Sequence, residues 1–92
     1  MSIDKSQIES CVTIARKFGA KKLILFGSAV ESPETACDLD IACDGVEGWK
    51  LFELGANMEE DIGIPVDIVP LKPATRFIRH IIKKGRLLYE DS

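Results

Sequence analysis

Residues 25–42 read LFGSAVESPETACDLDIA, and the fold turns on how that stretch divides. It holds an apolar run, a Gly-Ser break, nine intervening residues and then Asp-x-Asp among apolar neighbours. From Asp38 to Cys43 the character alternates, which predicts a strand with Leu39 and Ile41 on one face and Asp38 and Asp40 on the other. Side chains two residues apart on one face lie about 7 Å from each other. Two ionised carboxylates left unpaired and half-buried would cost several kcal/mol. No Lys or Arg falls within nine residues of Asp40 on either side. A divalent cation is the economical counter-charge, and oxygen ligands suit Mg²⁺ or Mn²⁺.

Working outward, Lys22 to Phe26 reads as a short buried strand that Gly27-Ser28 interrupts, and Ala29–Glu31 as a single helical turn. Upstream, Ile8, Cys11, Val12, Ala15 and Phe18 draw one stripe of a helix over 4–18, stopped by Gly19. Downstream, Asp44-Gly45 marks a turn, and Glu47 to Ile62 a second long helix. Its main stripe is Leu51, Leu54, Met58 and Ile62. Trp49, Phe52 and Ala56 form a second apolar strip, read as packing on the sheet in preference to an interface. Pro65 to Leu71 is a third strand with Asp67 in its middle and no basic residue before Lys72. Pro73 suits the first turn of a last helix with core positions Phe77, Ile78, Ile81 and Ile82, and Arg86 to Tyr89 closes the sheet. The order α-β-β-α-β-α-β predicts an α/β (α+β) fold: a mixed sheet of about four strands backed by helices.

Ninety-two residues suit one domain spanning 1–92, with 46% apolar and 29% charged residues. No run approaches the roughly 20 apolar residues of a membrane span, and no signal-peptide pattern opens the chain, so a cytoplasmic protein is expected. Cys11, Cys37 and Cys43 are odd in number and irregularly spaced, which suits free thiols. With no C-x-x-C and a single histidine, His80, zinc is disfavoured. A net charge of −3 makes nucleic acid a poor partner, because that affinity rests on Lys and Arg.

If the third strand neighbours the first aspartate pair, Asp38, Asp40 and Asp67 converge. Gly27 would let a ligand approach the backbone, and Ser28 would offer it a hydroxyl and an N–H. Phosphate beside carboxylate-held metal points to phosphoryl or nucleotidyl transfer. A calcium loop fails, since Ala42 and Trp49 stand where ligands would be needed.

Phe26-Gly27-Ser28, Asp38-Leu39-Asp40 and Asp67 resemble the motif of the nucleotidyltransferase superfamily that includes DNA polymerase beta: Gly-Ser, about nine to thirteen residues, Asp-x-Asp, then a third acid. Length and element order are most similar to its minimal nucleotidyltransferase (MNT) antitoxins. The resemblance implies two Mg²⁺ ions (or Mn²⁺) on Asp38, Asp40 and Asp67, with Asp67 helping to deprotonate the acceptor. It also implies ATP or another nucleoside triphosphate on Gly27 and Ser28, and transfer of AMP to a helical HEPN-type toxin, alone or as part of an oligomer. One departure is plain: Ala29 and Glu31 stand where the family commonly carries arginines, and Lys21, Lys22 or Lys50 is left to compensate. The aspartates favour an enzyme. The missing arginines favour a module that silences its partner by contact alone, and a nucleotide-sensing domain is a third reading.

Overall fold

In the computed structural model, which describes residues 3–91, the helix α1 (Lys5–Lys17) leads into β1 (Lys22–Phe26). The chain continues through a single turn α2 (Ser28–Glu31), β2 (Leu39–Asp44), α3 (Trp49–Ile62), β3 (Val66–Pro70), α4 (Arg76–Lys84) and β4 (Arg86–Glu90). The strands form one sheet in the order β3-β2-β1-β4. The sheet is mixed: β1 runs antiparallel to β2 and β4, and β2 parallel to β3. The parallel pair needs a crossover, and α3 supplies it.

Alternation along the strands sorts the side chains into two layers. On one face Leu23, Leu25, Leu39, Ile41 and Cys43 pack beneath Cys11 and Ala15 of α1 and Leu51, Leu54 and Met58 of α3. Burying each of the larger of these side chains contributes about 1.5–3 kcal/mol over leaving it in water. Gly55 of α3 is buried against Ile68 of β3, whose Cγ2 would lie 3.1 Å from a β-carbon added there. That close approach holds β3 tightly under the helix. On the other face Ile24 and Ala42 meet Ile78 and Ile81 of α4, with Phe26, Val69 and Leu71 around them. The helix α4 packs chiefly on β1, so this second layer covers only part of the sheet.

Most predicted elements form within a residue or two of their expected bounds, and α4 is the exception. It begins at Arg76 and not near Pro73, because the Thr75 hydroxyl accepts from the Ile78 N–H at 3.2 Å and caps the helix there. Its expected core also shrinks. Ile78 and Ile81 are buried, but Phe77 is 56% and Ile82 47% exposed, because one short helix over one strand buries a narrow stripe.

Candidate active site

The alternation that seals Leu39 and Ile41 under α1 and α3 turns Asp40 to the opposite, partly open face. The parallel ladder then sets Asp67 of β3 directly beside it, since Asp40 and Asp67 are register partners. Neighbouring strands run about 4.8 Å apart, so the two carboxylates leave the same face side by side. A bond from the Leu39 N–H to the Pro65 carbonyl, 3.0 Å, closes the ladder at this end. The Val66 N–H, on the outer edge of β3, is taken by Glu59 Oε1 at 2.8 Å. Asp38 lies just before β2 and is exposed.

Gly27 flanks Asp40 on the other side, at the end of β1 where Phe26 pairs with Asp40. Its φ of +74° lies in the region that L side chains rarely adopt. A β-carbon there would also collide with Asp40 Oδ2. The backbone conformation alone favours glycine here, before any ligand is considered, and the Asp40 carboxylate would have to turn aside for a larger residue.

Burial pushes the Asp40 carboxyl above its ordinary range, and the nearby charges of Asp67 and Asp38 push it further the same way. Among the described residues no Lys, Arg or His makes an ion pair with them. The ion pairs among the described residues are Lys22 with Glu90 at 3.5 Å and Lys72 with Asp44 at 3.8 Å, both at the far end of the strands. The donor set is all carboxylate oxygen, which fits Mg²⁺ or Mn²⁺ and not a soft metal. Among the described residues the three aspartates, though within electrostatic reach, are not drawn into a closed ligand cage. Asp40 and Asp67 form the fixed pair, and Asp38 is the open member.

The expected compensation by Lys21, Lys22 or Lys50 does not occur. Lys22 is paired with Asp44 and Glu90 in the sheet register, four residues from Phe26, or about 14 Å along the strand. Lys50 lies in the first turn of α3, which starts from that same distant end. Ala29 is buried at 7% exposure, so its side chain belongs to the core. Glu31 lines a groove of about 410 Å³ that opens against Phe26 and Gly27, with Phe77, His80 and Lys84 of α4 opposite. His80 has no role in the sequence reading. Its spacing from Phe77 and Lys84 at i, i+3 and i+7 was the available signal for this shared flank.

Elsewhere, Trp49 is 67% and Phe52 82% exposed, and Ala56 is exposed too. The strip they form does not pack on the sheet as expected, because α3 seats only its Leu51–Leu54–Met58 stripe. Cys11 and Cys43 are buried, and burial pushes both thiols up to about 11. Arg76, Arg79 and Lys83 form an exposed face on α4. Among the described residues no helix is long and apolar enough to cross a membrane.

The family model for polymerase beta, nucleotidyltransferase matches residues 9–92. Among solved structures, a toxin–antitoxin complex with AMP-PNP superposes with a TM-score of 0.77 at 20% identity, over 98% of this chain and 76% of that one. A complex of a tri-AMPylated Shewanella oneidensis HEPN toxin with an MNT antitoxin gives 0.75 at 18% identity, over 96% and 73%. A minimal nucleotidyltransferase gives 0.72 at 24% identity, over 88% of each chain. No curated protein sequence matches. At these identities the likeness shows a shared fold.

Proposed function

The chain belongs to the polymerase beta nucleotidyltransferase family, and from that premise we propose that it is a Mg²⁺-dependent enzyme that transfers AMP from ATP to a partner protein. The partner is a HEPN-type toxin, the chain acts as its antitoxin over one domain spanning 1–92, and the pair works in the cytoplasm. The observation that carries this reading is the register of Asp40 against Asp67 on an open face, with no ion pair to either among the described residues. The solved complexes of MNT antitoxins with HEPN toxins, one of them AMPylated, support the choice of acceptor.

In this reading Asp38, Asp40 and Asp67 would hold two Mg²⁺ ions, which would supply positive charge against the phosphates and the attacking oxygen. Asp67, on an edge strand and exposed, is the carboxylate a partner's hydroxyl reaches. That oxygen attacks the α-phosphorus, the bond to the β-phosphate breaks, pyrophosphate leaves and Asp67 takes the hydroxyl proton. Gly27 and Ser28 present backbone and hydroxyl to the β- and γ-phosphates from beside Asp40. Trp49 and Phe52 offer an aromatic surface of the kind protein partners bury.

The test is to incubate the protein with Mg²⁺, α-labelled ATP and the protein encoded beside it. Label on that partner, lost in both Asp38→Ala and Asp40→Ala, is the expected result. A partner that stays unlabelled yet is bound and silenced would establish instead a module acting by contact, the reading that Ala29 and Glu31 favour.

A further inference from the structure

A triphosphate needs positive charge along its length, and the segment that would receive it has none. No Lys or Arg occurs from residue 23 to residue 49. The lysines nearest in sequence, Lys22 and Lys50, sit at the far end of the sheet. We infer that Lys84 of α4 supplies the missing counter-charge and, with His80 beside it as a hydrogen-bond donor, binds the phosphate end of the nucleotide across Gly27.

Three observations converge on that groove. Gly27 lines it, and the Asp40 carboxylate lies directly beside that glycine, so the groove adjoins the aspartates. Lys84 and His80 are one helical turn apart on one flank of α4, and both line the groove. The helix that carries them is seated by Ile78 and Ile81 on Ile24 and Ala42, the same face of the sheet that bears Asp40. Neither side chain has an acidic partner within ion-pair distance among the described residues, so both donors are available. Glu31 lines the same groove and opposes an anion there. Lys84 lines the groove with it and forms no ion pair to it, and the apolar rings of Phe26 and Phe77 strengthen a charge contact made between them.

This inference rests on the nucleotidyltransferase reading, and the two can fail separately. The experiment is calorimetric titration of the whole chain with ATP and with AMP, each with Mg²⁺, in wild type, Lys84→Gln, Lys84→Arg, His80→Ala and Glu31→Gln. Loss of one charge-assisted contact weakens binding by about ten- to a hundredfold, so Lys84→Gln is expected to lose that much for ATP. AMP, lacking the distal phosphates, should change by less than about twofold on the same grounds. Lys84→Arg should keep most of the ATP affinity, His80→Ala should lose less than Lys84→Gln, and Glu31→Gln should bind ATP more tightly than wild type. Equal losses for ATP and AMP, or no loss in Lys84→Gln, overturn the inference. If partner labelling is intact in Lys84→Gln while its ATP affinity is unchanged, the function stands and only this inference falls. A wild type that binds neither nucleotide overturns both.

Discussion

The two faces of the sheet are built from the same strands by the same alternation, yet they do opposite work. On the face under α1 and α3, Leu39 and Ile41 are fully excluded from water. One residue away, Asp40 faces a surface that α4 covers only over β1. The sealed face holds the larger share of the buried core. The open face is allowed a repulsive arrangement of carboxylates because the sealed one can carry it. Stability and chemistry are thus separated by a single step along β2.

That separation can be broken from either side. The largest expected effect is on activity: Asp40→Ala should reduce transfer by about a thousandfold, several kcal/mol at roughly 1.4 kcal/mol per factor of ten, while circular dichroism shows the fold unchanged. Next, Leu54→Ala on the sealed face should cost about 2–5 kcal/mol in denaturant unfolding, because a fully buried side chain leaves a cavity. Equal stability losses from the two variants would erase the distinction between the faces.

A smaller effect sharpens the account of the open face. The Asp40 carboxyl is raised from 3.8, so its stabilising contribution is full below that value and is lost as pH rises through the raised one. Without metal, Asp40→Asn should therefore be more stable than wild type at neutral pH, and the gap should close on acidification. Mg²⁺ at ten times its dissociation constant should add about 1.4 kcal/mol to wild type and nothing to Asp38→Ala/Asp40→Ala, read as a shift in melting temperature. The smallest effect is at the far end of the strands. Breaking the exposed Lys22–Glu90 pair with Lys22→Ala should change stability by less than about 1 kcal/mol.

Much of this arrangement was legible in the sequence, and the gaps have physical causes. Alternation from Asp38 to Cys43 is a local property, so the facing of Asp40 could be read directly. So could the strand around Asp67, but not its pairing: parallel register depends on how α3 lays β3 back, which no local pattern encodes. The close approach of Gly27 to Asp40 is equally non-local, since it involves a carboxylate thirteen residues away. Trp49 and Phe52 mislead a reading by hydrophobicity because both are apolar and helical, and only the seating of α3 leaves them in water. The capping role of Thr75 is a local signal, a hydroxyl three residues before Ile78, which Pro73 two residues earlier obscures.

The notch at Gly55 has a wider reach than its size suggests. Ile68 fits there because the helix offers no side chain, and Ile68 follows Asp67 directly. A slip of one residue in β3 would lift that isoleucine out and turn the aspartate inward beneath α3, into the driest part of the molecule. A hydrogen atom in place of a methyl group, deep on the opposite side of the sheet, thus leaves room for the isoleucine that follows Asp67.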